Sequence, residues 1–305
     1  MTELEQGLET LGLVPRRLVP LAGDASQRRF FRVVLADSET VIAALYPEDG
    51  AAQAARDRAI QLWAAAHGLP VPQPLGITAG LTVSTDLGDV DLERALAAGH
   101  EVMPLALSAL AAFQTCGWDG LANPPFDAAF FRRELAGFEQ VAFSGLGGAP
   151  REVAVFLDLL ASRLAAHPYR LVHRDFHVNN LFLHRAKVWT VDFQDMRAGP
   201  DTYDLVSLLR ERAGGEQIAA ESDWKTRAAE QFAWAPGWEL RYLECAAQRG
   251  LKVIGTFLRL AREGRRGYLA WLPGVIRHTL AALAALDAPP TLRDAVTSAA
   301  GVKGL

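Results

Sequence analysis

LVHRDFHVNNLFLHRAKVWTVDFQDMRAGPDTYDL, residues 171–205, contains two short apolar segments, 180–183 and 188–191, each with polar chemistry at one end. Asp175 stands five residues before Asn180, and Asp192 follows the second segment directly. The segments read as paired strands. A carboxylate, a carboxamide and a second carboxylate are then set on a loop and at strand ends. A hydroxyl base beside a magnesium site that holds nucleotide phosphates needs that arrangement. Asp and Asn are also ordinary turn and cap residues, but three polar groups at this spacing favour chemistry over chain punctuation.

Upstream of this stretch the pattern changes character twice. Residues 3–13 form an amphipathic helix pattern ended by Gly12 and Pro15. Residues 18–21, 30–35 and 40–46 are short, β-branched or aromatic and separated by turns, which is an antiparallel three-strand reading. An alanine-rich helix at 50–67 ends at Gly68, and GLPVPQPLG links it to a further strand at 81–85. From Asp91 onward the chain reads as helices at 91–98, 104–116, 128–143 and 151–167. The fold class is therefore α+β, with an N-terminal lobe at 1–87 and a helical lobe at 88–305. After the central stretch, helices are expected at 202–212, with Asp201 as cap, and at 221–234, 239–263 and 268–286.

At 305 residues the chain can bury one large core or two joined ones. A net charge of −4 offers no surplus of cations to grip a nucleic-acid backbone. The acidic start MTELEQGLETLGL is unlike a signal peptide, and no apolar run is long enough to span a membrane, so a cytoplasmic location is expected. No nucleic acid, membrane or obligate protein partner is implied. Cys116 and Cys245 lack metal-ligand spacing and read as buried small hydrophobes. His173, His177 and His184 form the one tight histidine group, but the Asp and Asn oxygens favour a hard ion over zinc.

The first hairpin connection, GDASQRR, gathers Gly23, Asp24, Ser26, Arg28 and Arg29. Its backbone donors, the Ser26 hydroxyl and the two arginines suit phosphate oxygens, as a nest does. A solvated hairpin tip accounts for the same residues equally well. A nucleotide lying between the lobes would meet the backbone near Thr85 and Leu87 with its base. Asp204, in the first turn of a helix, either favours the helix dipole or holds the catalytic loop through backbone donors.

HRDFHVNN at His173 to Asn180 and DFQD at Asp192 to Asp195 resemble the catalytic and metal segments of the aminoglycoside phosphotransferase and choline kinase group, relatives of protein kinases. The resemblance implies a bilobal protein-kinase-like fold, with a small antiparallel-sheet N-lobe and a larger helical C-lobe. It also implies ATP and Mg2+ as cofactors, Asp175 as catalytic carboxylate, Asn180 and Asp192 as metal ligands, and His173, Arg174 and Asp204 as support of the loop. GDASQRRFFRV, VDFQDMRAGPDTYDL and LKVIGTFLRLAR with YLAWLP are similar to a narrower group, the bacterial anomeric N-acetylmuramate/N-acetylglucosamine kinases of cell-wall sugar recycling. That likeness implies an N-acetylated amino sugar as acceptor, with Asp195, Trp271 and His278 expected toward it. Aminoglycoside or small-alcohol transfer, and a nucleotide-binding pseudokinase scaffold, are the alternatives. One departure stands out: VIAALYPEDG, residues 41–50, lacks the lysine that this superfamily carries on its third strand. Asp57 stands where the partner acid of that lysine is expected, and Arg28 and Arg29 are the nearest substitute cations.

Overall fold

Alternation along the early strands decides which face of the sheet is covered. In β3 (Thr40–Leu45), Val41, Ala43 and Leu45 are buried against one side while Ile42 and Ala44 turn to the other. β3 pairs antiparallel with β2 (Arg29–Leu35), which pairs with β1 (Pro15–Leu21), so that Val33 sits opposite both Val41 and Leu18. The covered face meets α1 (Glu3–Thr10), whose Leu4 and Leu8 complete a small core with Val33, Val41, Leu81 and Val83. The start of α1 is a capping box: the Thr2 hydroxyl accepts from the Glu5 N–H, and the Glu5 carboxylate accepts from the Thr2 N–H.

The computed structural model describes residues 2–21, 27–211 and 221–299. Its main sheet has five strands in the order β1-β2-β3-β5-β4, where β4 is Pro74–Ile77 and β5 is Leu81–Thr85. β4 is a strand where the sequence suggested only an extended link. Its one proline, Pro74, is tolerated because it opens an edge strand, bulged between Pro74 and Gly76. α2 (Ala51–Ala66) leaves the sheet and carries Ile60 and Ala64 into the large core of the helical part.

That core is built by α3 (Leu92–Ala97), α4 (Met103–Thr115), α5 (Ala128–Ala142) and α6 (Arg151–Ala165), followed by the 171–205 stretch and the later helices. Two small antiparallel pairs lie within the stretch. β6 (Tyr169–Val172) pairs with β9 (Arg197–Pro200), and β7 (Leu181–His184) with β8 (Lys187–Thr190). The later helices are α7 (Tyr203–Arg210), α8 (Glu221–Gln231), α9 (Trp238–Arg262), α10 (Leu272–Ala285) and α11 (Pro290–Ala299). Asp201 does not cap α7. It pairs with Arg241 at 2.7 and 3.1 Å instead, and Thr202 occupies the cap position without a side-chain bond.

α9, 25 residues long, is the axis of this part. It lies unusually close to its neighbours at two glycines. A methyl group at Gly255 would come within 2.8 Å of the Phe138 backbone, and one at Gly250 within 2.0 Å of the Thr279 hydroxyl. Close packing on both sides fixes where Lys252, the one polar residue between those glycines, stands. Among the described residues, no helix is long and apolar enough to cross a membrane.

Candidate active site

The catalytic loop is held from beneath by one carboxylate. Asp204, in the first turn of α7 and fully buried, accepts the His173 N–H at 2.6 Å and the Arg174 N–H at 3.0 Å. Arg174 has a φ of +80°, a conformation that L-residues adopt only when neighbouring bonds enforce it. Burial pushes the Asp204 carboxyl up to about 7, against the pull of its two N–H donors and Arg249. Burial likewise pushes the His173 imidazole down, favouring its neutral form. Asp204→Ala would strand two buried N–H groups, each worth about 1–3 kcal/mol. The expected result is a loss of about 2–5 kcal/mol in urea unfolding, with Asp204→Asn intermediate because it keeps one acceptor oxygen. An Asp204→Ala variant as stable as the native chain would count against this support role.

Beyond that anchor the loop presents Asp175 to a cleft of about 750 Å³. Arg249 Nη2 lies 3.6 Å and Lys252 Nζ 3.9 Å from Asp175 Oδ1. Burial opposes ionisation of Asp175, but Lys252, Arg249 and Arg174 outweigh it and hold the carboxyl far below the usual carboxylate range. Asn180 donates through Nδ2 to the Asp175 carbonyl at 3.0 Å, which commits the amide nitrogen and leaves Oδ1 as a ligand oxygen. Asp192, left-handed at φ +61°, follows β8 across the cleft. Its Oδ1 accepts from Arg28 and from Gln194, and Oδ2 carries no hydrogen bond from the described residues.

The donor set fits magnesium. Asn180 and Asp192 supply two hard oxygens on the cleft wall. No group of three or more Asp, Glu, His or Cys able to enclose an ion exists among the described residues. Magnesium suits such an open pair, completing its shell with phosphate oxygens and water.

Arg28 stands beside the acid expected to partner a strand lysine. Arg28 reaches Asp57 Oδ2 on α2 at 3.1 Å and Asp192 Oδ1 at 3.2 Å, with its guanidinium 5.4 Å from the centre of the Phe30 ring. Tyr46 donates its hydroxyl to the same Asp57 oxygen at 2.8 Å. Arg29 is exposed and stands off the cleft wall. Ser26 lies outside the described residues, as do Gly23 and Asp24.

Thr85 and Leu87 both line the cleft. Thr85 spends its N–H and its hydroxyl on Gln73, while the Leu87 carbonyl faces His184 Nδ1 at 3.1 Å. The Leu87 N–H has no hydrogen-bond partner among the described residues. Arg32 fixes this linker by gripping Asp86 at 2.5 and 3.0 Å and Asp89 at 2.9 Å.

Three expected acceptor residues are not on the cleft wall. Asp195 is drawn to Arg174 at 3.5 Å and Arg197 at 3.8 Å. Trp271 packs behind Phe257 and Tyr268, which are the aromatics that do reach the wall. His278 sits beside Arg210, whose Nη1 donates to its carbonyl at 3.4 Å. Helical periodicity groups such residues without telling which face meets the cleft. Conversely, Arg249, Lys252 and Glu134 were missed. The two cations three residues apart within the largely apolar QRGLKVIG part of α9 were a signal for Arg249 and Lys252, while Glu134 on α5 carried none.

With this geometry in hand, the comparisons are direct. Residues 17–241 match the model of the phosphotransferase enzyme family. The chain is 31% identical over 290 residues to the N-acetylmuramate/N-acetylglucosamine kinase of Pseudomonas aeruginosa, covering 88% of this chain and 85% of that protein. In fold it is similar to a choline/ethanolamine kinase family protein of Mesorhizobium loti, with a TM-score of 0.59, 17% identity, and coverage of 93% of this chain and 92% of the other. It is also similar to an aminoglycoside phosphotransferase of Streptomyces rimosus solved with ADP and streptomycin, with a TM-score of 0.57, 16% identity and coverage of 83% and 99%.

Proposed function

Since this chain belongs to the phosphotransferase enzyme family, we propose that it is a sugar kinase. On this reading it transfers the γ-phosphate of ATP to the C1 hydroxyl of N-acetylmuramate, N-acetylglucosamine or both, in the reuse of cell-wall amino sugars. The observation that carries the reading is the loop that presents an ionised Asp175 beside the Asn180 and Asp192 oxygens. The acceptor is drawn from the named relative and from the chemistry of the wall.

The part of the cleft wall contributed by α9 and the turn after it holds Thr256, Phe257 and Tyr268. A partly aromatic surface suits the apolar face of a sugar ring with an N-acetyl group. A polycationic aminoglycoside needs uncommitted carboxylates. Around this cleft, Asp57, Asp86, Asp89 and Glu211 are all paired to arginines.

In the reaction, Asp175 accepts a hydrogen bond from the acceptor hydroxyl and aims its oxygen along the line of transfer. A carboxylate is a weak base toward an alcohol, so the proton passes to Asp175 late, as the new O–P bond forms. A hemiacetal hydroxyl is more acidic than an ordinary sugar alcohol, which eases that step. Magnesium on Asn180 and Asp192 would neutralise charge on the phosphate oxygens when bound. Arg28 offers its fork to the phosphates, and the Leu87 N–H offers a donor to the base.

Phosphate transfer from ATP should be assayed across N-acetylmuramate, N-acetylglucosamine, N-acetylgalactosamine and an aminoglycoside, with the product linkage assigned by NMR. Phosphate at C1 of an N-acetyl sugar is expected. Transfer to the aminoglycoside alone would overturn the acceptor, and nucleotide binding without turnover on any acceptor would mark a scaffold. Arg28→Met should weaken ATP by about 10-fold or more, the worth of a charge-assisted hydrogen bond. Arg29→Met should change it less than about twofold, because that side chain is exposed. Equal effects from the two variants, measured by calorimetry at fixed free magnesium, would remove Arg28 from the phosphate site.

A further inference from the structure

Two cations flank Asp175, and their surroundings differ in kind. Arg249 is 1% exposed and its donors are spent. Nε and Nη2 bond Glu211 Oε1 at 2.8 and 2.5 Å, Nη2 also reaches the Ser207 hydroxyl at 3.1 Å, and Nη1 donates to the Arg174 carbonyl at 2.5 Å. The guanidinium also lies over the Tyr203 ring, 4.4 Å from its centre. Arg249 therefore ties α9 to the end of α7 and to the catalytic loop. Its role is to position.

Lys252, one turn further along α9, is on the cleft wall with a fifth of its side chain exposed. Its ammonium stands 3.5 Å from Glu134 Oε1 and 3.9 Å from Asp175 Oδ1, with no shorter contact to either. Glu134 is already engaged by Arg174 at 2.9 Å and by Gln248 at 2.8 Å. Lys252 is thus held between two carboxylates by Coulomb attraction, and no hydrogen bond from its ammonium to the described residues competes with a ligand. Burial lowers its pKa, and Glu134, Tyr203 and Asp175 more than restore it, so the charge persists.

We infer that Lys252 is a further catalytic residue, a cation that meets the phosphoryl group as it arrives at the acceptor oxygen on Asp175. The inference rests on the phosphotransfer reading above. An acceptor hydroxyl bonded to Asp175 Oδ1 stands within reach of the ammonium, which sits 3.9 Å from that same oxygen. The equatorial oxygens of the group in flight gather charge at that point. No proton enters or leaves Lys252. The hydroxyl proton goes to Asp175, the new O–P bond forms, and the bond to the ADP oxygen breaks. A fixed ammonium contributes by already being in place when the charge develops, and this is where electrostatic catalysis is strongest.

The test uses the full chain carrying Lys252→Met, with Lys252→Ala as a second variant. For Lys252→Met, kcat should fall by about 10²-fold, the usual effect of removing one preorganised donor. KM for ATP should stay within about threefold, because ground-state nucleotide contacts lie elsewhere. Ethylammonium should restore part of the activity of Lys252→Ala. Aluminium fluoride with magnesium should tighten a fluorescent ADP on the native chain and fail to do so on Lys252→Met. That last readout needs no acceptor, so a wrong sugar assignment shows up separately as a native chain inactive on N-acetyl sugars. A kcat within threefold of native, or equal tightening of ADP on both proteins, would overturn the role.

Discussion

Asp175→Asn should lower kcat by about 10²-fold or more while leaving the fold and nucleotide affinity largely intact. Asparagine keeps the size of the side chain and loses the proton acceptor, and its amide would present donors to cations that are themselves donors. The cations around it retain other partners, Arg249 keeping Glu211 and Lys252 keeping Glu134, so no buried charge is left unpaired. Steady-state rates on the responsive sugar, circular dichroism and ATP calorimetry together check this. A variant with near-native turnover would show that orientation alone, without a carboxylate, carries the reaction.

Asp192→Ala should abolish the magnesium-dependent part of ATP binding and reduce turnover by on the order of 10²-fold or more, since a metal contributes several kcal/mol of charge stabilisation. Asn180→Ala should be milder, because it removes a neutral oxygen. The structure adds a sharper expectation. Arg28 loses its pairing with Asp192 in that variant and keeps Asp57. Metal-free ATP should therefore bind at least as tightly as to the native chain, even while the gain on adding magnesium disappears. Titrations with and without magnesium separate the two quantities. An undiminished magnesium gain in Asp192→Ala would remove the residue from the metal site.

What could be read from the chain follows the range over which its signals act. Asp175, Asn180 and Asp192 are legible because a loop and a hairpin bring them together within 18 positions. The alternation in β2 and β3 was likewise local. β4 was hidden by its proline and glycine, which suit an edge strand but spoil a pattern built for interior ones. β6 and β9 have four residues each, too few to show a period, and they pair across the whole catalytic stretch. Lys252 and Arg249 join the site from α9 only through tertiary packing, so spacing could not place them. Trp271 and His278 carry suitable chemistry, but helical spacing alone does not say which turn of a helix meets the cleft, and Phe257 and Tyr268 are the aromatics that line it.

Arg28 also bears on how such catalysts diversify. Phe30, two positions beyond it on β2, faces Ala44 of β3, so the two strands project side chains into the cleft at nearby depths. A cation entering just ahead of β2 can then stand near where one on β3 would, and here Asp57 on α2 pairs with it. A classification that asks for a lysine at one alignment column would file this chain among the inactive relatives, whereas one that asks for a cation within reach of Asp57 and Asp192 would not.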